Sequence, residues 1–369
     1  MRANANTSKE PLFRISKRNC TNKWGALGVR AIAILLALIA CGIMSEIFES
    51  GSFGFFYKNL FLGVFGTPRR ILLFFQNTAL MLLIALAVTP AFKMRFWNIG
   101  AEGQTLMGAF GAAIIVFYLG KEVNNSVLLI LMLVVSIAFG CVWAVIPALF
   151  KAKWNTNETL FTLMMNYIAI QLVLYTISQW VPSGSGALGT FKTGRFPNIF
   201  GKKYILNIII VAIVTVIMFI YLRYTKHGYE ISVIGGSEKT AKYIGINVKK
   251  TIIRTLMLSG ALCGLAGYLL VAGTSHTVSS TIVDGRGFTA ILVSWLARFN
   301  PIYMVGTSML VIFFDQGASE VATEAGFGGE FADMVTGLFF IIIIASEFFI
   351  NYEIKFRTFK KNKTEVNAQ

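Results

Sequence analysis

The strongest constraint in this sequence is a series of long apolar stretches that recur along nearly the whole chain. Most have the length, roughly 17–25 residues, that an α-helix needs to cross the hydrocarbon core of a bilayer. The candidate spans lie near residues 25–47, 70–90, 98–119, 126–150, 158–180, 204–222, 252–273, 287–299, 302–318 and 331–350. The eighth is short, which is compatible with a half-helix buried within the protein. The pattern predicts an all-α, polytopic integral membrane protein with about ten transmembrane helices.

The composition of the chain agrees with a membrane location. Hydrophobic residues make up 56% of the 369 residues and charged residues only 14%, whereas a soluble domain has about 25% charged residues. So much apolar surface cannot be buried inside one soluble globule of this size, but membrane lipid can cover it. We therefore expect a multi-pass protein of the cell membrane.

The net charge of +16 is explained by membrane topology and not by nucleic-acid binding. The basic residues flank the spans, as the positive-inside rule expects, and show no interleaving with aromatic residues outside the membrane. Ten crossings that start inside predict a cytoplasmic tail 1–24, a membrane domain 25–352 with an inner loop 223–250, and a cytoplasmic tail 353–369. The basic residues that run against this trend are Arg69, Arg70, Lys192, Arg195, Lys202 and Lys203.

The sequence offers no catalytic or metal centre, so we predict a transport subunit that is not an enzyme and needs no cofactor. The segment Gly201-Lys202-Lys203 lacks the glycine spacing and the Ser or Thr of a P-loop. If ATP drives transport, another polypeptide must hydrolyse it. The two histidines are too few and too isolated for a metal site, and the spacing of the four cysteines matches no metal knuckle and no disulfide pattern. The run Leu38–Cys41 resembles a lipoprotein cleavage box, although a first transmembrane helix accounts for the same residues.

Three polar or glycine-rich motifs lie within the apolar spans. The first, residues 97–104, contains Asn98, Glu102 and Gln104 at the start of the third span. Asn98 can cap that helix, and Glu102 lies near the positive end of its dipole. The second motif places Asn166 inside an apolar run, and the third, residues 284–301, combines glycines with Phe288 and Trp295. Each is compatible with close helix packing or with the lining of a translocation path.

The inner loop carries apolar residues among its charges. Ala241, Tyr243 and Ile244 form part of a short amphipathic segment with Gly235 and Gly245 at its ends. Such a segment is compatible with a solvated loop or with a short helix that docks into a groove of a cytoplasmic partner. Further along, Gly260 and Gly264 form a small-xxx-small pattern, which favours close packing of helices.

Taken together, these motifs resemble the ABC permeases for nucleosides and simple sugars, within the wider class of ribose and branched-chain amino acid permeases. The run Asn98-Ile-Gly-Ala-Glu-Gly-Gln104 carries the resemblance most specifically. The other matches follow in the family's order and are Asn157-Glu158, Met165-Asn166-Tyr167, Gly235, Ala241-Lys-Tyr-Ile-Gly245, Ser259-Gly-Ala-Leu, Gly264-Leu-Ala-Gly267, Gly287-Phe288 and Asn300-Pro301. The chain departs from the family at Gly236-Ser237-Glu238, where Glu-Asn-Pro is usual, and at the bulky run Ser294–Arg298.

The resemblance implies a permease subunit of an ATP-driven importer that moves nucleosides, with simple sugars as the alternative substrate class. It implies an ATP-binding subunit docked at the inner loop, a second, non-identical permease, and an extracytoplasmic substrate-binding protein, commonly a lipoprotein. An ion-coupled secondary transporter is the remaining alternative, for which the acids at membrane depth are Glu102, Asp315 and Glu347.

Overall fold

A computed structural model describes residues 13–17, 23–47, 53–181, 186–198 and 204–356. These residues are almost entirely helical, with one π-helical turn, Leu270–Ser275, and two short strands, β1 (Phe13–Lys17) and β2 (Tyr352–Phe356). The helices are α1 (Lys23–Ile47), α2 (Phe53–Phe65), α3 (Pro68–Lys93), α4 (Ala101–Leu119), α5 (Asn125–Trp154), α6 (Glu158–Trp180), α7 (Ile205–Tyr224), α8 (Lys226–Gly236), α9 (Glu238–Tyr243), α10 (Val248–Leu269), α11 (Arg286–Leu296), α12 (Pro301–Glu324) and α13 (Gly329–Asn351).

Eight helices in the described part of the chain are long and apolar enough to cross a membrane. They correspond to α1, α3 to α7, α10 with its π-helical turn, and α13, which confirms an all-α, polytopic membrane protein. The other two predicted spans are α11, with 11 residues, and α12, with 24. Neither is among the eight, because α11 is too short and the second half of α12 carries Asp315, Gln316 and Glu320.

The larger of two compact units runs from Leu62 to Gln316. Its most buried spans are α3, α4 and α10 with its π-helical turn, in which 72%, 67% and 78% of an apolar stretch of 18 residues is buried. Glycine residues allow α10 to approach its two neighbours, α4 and α5, closely. A Cβ atom at Gly264 would overlap the Ser136 carbonyl of α5, and one at Gly108 would lie 2.5 Å from the Gly264 Cα. The predicted close packing around Gly264 is therefore confirmed.

The smaller unit combines the described residues up to Phe61 with those from Gly317 to Phe356. Here α1 packs against α13, and Arg30 Nε donates a hydrogen bond of 2.9 Å to Glu347 Oε1. Strands β1 and β2 pair antiparallel, from Phe13 opposite Phe356 to Lys17 opposite Tyr352. The sequence predicted neither these strands nor α2.

Candidate functional site

The turn before α4 is held by a buried network of side-chain amides. Asn98 Oδ1 accepts hydrogen bonds from the Gly100 backbone N–H (3.0 Å) and from Gln104 Nε2 (3.1 Å), and Asn98 Nδ2 donates to Ser259 Oγ (3.2 Å). Both amide side chains are buried. Asn98 is not the N-cap of α4, since Gly100 holds that position. These hydrogen bonds join the turn before α4 to α10 and are those of close helix packing, one of the two interpretations left open; a place of Asn98 and Gln104 in a path stays a prediction.

Asn166 connects α6 to the same turn. Its Oδ1 atom accepts from the Gly103 N–H at 2.8 Å, and its Nδ2 atom donates to the Ile99 carbonyl at 2.9 Å. The side chain is 2% exposed. Thr162 Oγ1, one helical turn earlier, accepts from the Ile99 N–H at 3.1 Å. The geometry of Asn166 is that of helix packing, one of the two interpretations left open, and its place in a path stays a prediction.

Glu102 lies in the first turn of α4, but its carboxylate reaches the start of α11. Glu102 Oε1 accepts from the Gly285 N–H at 2.9 Å, and Oε2 accepts from the Gly287 N–H at 2.7 Å. A Cβ atom at Gly287 would lie 2.7 Å from the Glu102 Cα, so only glycine allows the two helix starts to meet. The sequence predicted an effect of Glu102 on its own helix. The contact with α11 was missed because its partner is 183 residues away.

Helix α11 presents an aromatic face. Phe288 and Trp295 are seven residues apart, on one side of the helix, and are 42% and 47% exposed. The Trp295 ring lies 5.5 Å from that of Trp97, which precedes α4 and is also exposed. Trp97 was not predicted as a site residue, although an aromatic side chain beside the first motif was the available signal. With 11 residues and a length of about 16 Å, α11 is long enough to cross only about half of the hydrocarbon core, in agreement with the predicted half-helix.

The opposite face of α11 is buried and holds the helix to its neighbour. Ala290, Val293 and Ser294 are buried. Ser294 Oγ lies 2.9 Å from Thr89 Oγ1 of α3, within hydrogen-bond distance. The helix is therefore anchored near both ends, to Glu102 of α4 at its start and to Thr89 of α3 near its end.

The predicted inner loop is folded as two helices, α8 and α9, between α7 and α10. Hydroxyl groups cap them, since Thr225 Oγ1 accepts from the Gly228 N–H (3.1 Å) and Ser237 Oγ accepts from the Thr240 N–H (3.3 Å). Gly235 does not form a turn. It lies within α8, where a Cβ atom would overlap the Lys93 carbonyl at the end of α3. This contact packs α8 directly against α3.

The exposed part of the α9 segment is smaller than predicted. Ala241, which the sequence placed in the docking face, is completely buried within this chain, and its role in coupling stays a prediction. Tyr243 is 93% exposed and Ile244 is 51% exposed. Gly245 follows them with φ of +84°, a backbone conformation that glycine adopts without strain. The apolar surface that remains for a partner is therefore Tyr243 and Ile244.

A groove of about 410 Å³ lies along α6, and its lining includes none of the residues predicted for the path or for coupling. It is lined by Thr156, Asn157, Leu160, Phe161, Met164, Met165 and Ile168. The apolar lining provides few groups that could bind a polar substrate, and it is typical of a surface covered by lipid or by another subunit.

Residues 70–344 match the protein family described as branched-chain amino acid transport system, permease component. The guanosine ABC transporter permease NupP of Bacillus subtilis is 29% identical over 350 residues, which cover 92% of this chain and 97% of the relative. The glucose ABC transporter permease TsgB13 of Haloferax volcanii is 24% identical and covers 93% of both chains. The nucleoside ABC transporter permease NupB of Lactococcus lactis is 26% identical, over 78% of this chain and 83% of the relative. The chain belongs to this family of ABC transporter permeases and is a multi-pass protein of the cell membrane.

Proposed function

We propose that this chain forms part of the translocation path for nucleosides in an ATP-driven importer. The observation that carries the proposal is the similarity to a guanosine permease over nearly the full length of both proteins. A second relative that is named for nucleosides supports the same substrate class. An ABC permease works with an ATP-binding subunit and a substrate-binding protein. We assign ATP hydrolysis to that subunit because the sequence contains no P-loop.

The exposed face of α11 is our candidate for the path. Phe288, Trp295 and Trp97 offer aromatic surfaces on which a planar base can stack. This face is not covered by the described part of the chain itself. We propose that a second, non-identical permease closes the path on this side and that an extracytoplasmic lipoprotein delivers the substrate.

Helices α8 and α9 are our candidate for coupling to the ATP-binding subunit. Exposed aromatic residues are frequent anchors of interfaces, and Tyr243 is the most exposed large apolar side chain among the described residues. Because Gly235 packs on the end of α3, a displacement of α8 and α9 would be passed directly into the membrane core. Lys239 and Lys242 would lie at the rim of such an interface, where charges contribute modestly to affinity.

Simple sugars are the second candidate substrate class, favoured by the similarity to a glucose permease over 93% of both chains. Ion-coupled transport is less well supported. Glu102 accepts two backbone hydrogen bonds and Glu347 is paired with Arg30, so both acids are engaged.

A competition experiment distinguishes the substrate classes. Uptake of radiolabelled guanosine is measured in cells that express the complete transporter, with a hundredfold excess of unlabelled nucleoside or glucose as competitor. We expect nucleosides to abolish uptake and glucose to leave it unchanged. Transport of labelled glucose, with no uptake of any nucleoside, would contradict the proposed substrate.

A further inference from the structure

The carboxylate of Glu102 lies at the start of two helices at once. It belongs to the second residue of α4, and it accepts hydrogen bonds from the backbone N–H groups of Gly285 and Gly287 at the start of α11. The positive end of a helix dipole favours a negative charge, and here two such ends converge on one carboxylate. Glu102 therefore joins the two helix starts through charge as well as through hydrogen bonds.

Helix α11 has no capping side chain of its own. Its N-cap residue is Gly285, which has φ of +68° and no side chain that could accept a hydrogen bond. The first N–H groups of a helix have no partner within the helix, and within a membrane such groups must be satisfied by protein. Glu102 supplies the acceptor from another helix, so the docked position of α11 depends on that carboxylate.

The position of α11 matters because one helix carries both a buried and an exposed face. Ala290 and Val293 are completely buried, whereas Phe288 and Trp295 are exposed. A tilt or release of the α11 start would turn the aromatic face and open the buried one. The hydrogen bond between Ser294 and Thr89 would still restrain the other end.

We propose that Glu102 is a positioning residue: it holds the start of α11 and thereby sets the orientation of Phe288 and Trp295 in the path, without contacting the substrate. The relevance to transport rests on the proposed function of α11. The contact between Glu102 and α11 does not rest on that function, so the contact and its relevance to transport can be tested separately.

The test measures how often the buried face of α11 opens. Ala290→Cys places a small thiol on that face, in a chain from which Cys20, Cys41 and Cys141 are removed. Native Cys263, which is completely buried in α10, is kept as a monitor of general unfolding. The purified chain reacts with a water-soluble maleimide, and the labelling rate of each cysteine is followed by mass spectrometry of its peptide.

Glu102→Gln is the main variant, because the amide keeps one acceptor and turns a donor toward the second backbone N–H. We expect the labelling rate at position 290 to rise about tenfold, as the loss of one charge-assisted hydrogen bond implies, with the rate at Cys263 unchanged. Glu158→Gln is the matched control, since Glu158 also lies in the first turn of a span but pairs with Lys151. It should leave both rates as they are.

A second variant keeps the test decisive if Glu102→Gln does not fold. Gly287→Ala leaves the carboxylate intact but pushes α11 away from α4, and it should raise the labelling rate at position 290 in the same way. In the complete transporter we expect Glu102→Gln and Gly287→Ala to lower kcat and raise KM together. An unchanged labelling rate at position 290 in both variants, with a higher KM in Glu102→Gln alone, would overturn the proposal and make Glu102 a substrate contact.

Discussion

Replacement of Gly264 by alanine tests the packing of the membrane core most sharply. The added Cβ atom would overlap the Ser136 carbonyl and lie 2.9 Å from the Ile137 Cα, both of which are backbone atoms of α5. Backbone cannot rotate aside as a side chain can, so α5 and α10 must separate. Overpacking lowers the free energy of unfolding by up to about 3 kcal/mol, and the better helix propensity of alanine raises it by about 1 kcal/mol. We therefore expect a net loss of about 2 kcal/mol.

The assay is thermal unfolding of the purified permease in detergent, where this loss should lower Tm by several degrees. Gly306→Ala is the matched control, because Gly306 also lies inside a helix but has no atom within 4 Å of an added Cβ. That variant should be unchanged or slightly more stable. Equal Tm values for Gly264→Ala and Gly306→Ala would refute the close contact between α5 and α10.

Three further predictions concern single side chains. Asn166→Leu leaves the Gly103 N–H and the Ile99 carbonyl without partners, so it should lower the free energy of unfolding by about 1–3 kcal/mol for each group. An unchanged Tm would contradict the packing role. Burial lowers the pKa of His227 below its ordinary 6.5, so the folded protein binds this proton less readily than the unfolded chain does. Tm should therefore fall as the pH decreases below 6.5, and His227→Gln should abolish this dependence of Tm on pH. Tyr243→Ala should reduce co-purification of the ATP-binding subunit by about thirtyfold, the effect of about 2 kcal/mol, whereas Tyr175→Ala, at an exposed tyrosine of α6, should not; equal recovery would exclude the docking role.

Long apolar spans could be predicted to within a few residues, because the length of a hydrophobic stretch is itself the signal. The span predicted at 158–180 is helix Glu158–Trp180, and the short eighth span is the half-helix α11. Strands β1 and β2 could not be predicted, since their pairing joins opposite ends of the chain and no local pattern specifies it. Helix α2 was missed because 13 residues are too few for a span.

The candidate site was harder to predict, because a polar residue in an apolar stretch needs a partner but does not identify it. Asn98, Gln104 and Asn166 all find hydrogen-bond partners within the chain. From the sequence, these internal hydrogen bonds could not be distinguished from contacts with a substrate. The sequence of the short helix α9 likewise does not specify that Ala241 is buried and Tyr243 is exposed. Both outcomes depend on which helices are neighbours in the fold.

The most direct test of the central claim is ATP-driven uptake by reconstituted protein. The permease is placed in liposomes alone, or together with its ATP-binding subunit, second permease and substrate-binding protein, and accumulation of labelled guanosine is measured with and without ATP. We predict accumulation only in the complete complex and only with ATP, and no ATP hydrolysis by the permease alone. Accumulation by the lone chain in response to an ion gradient would contradict its assignment as a subunit of an ATP-driven importer.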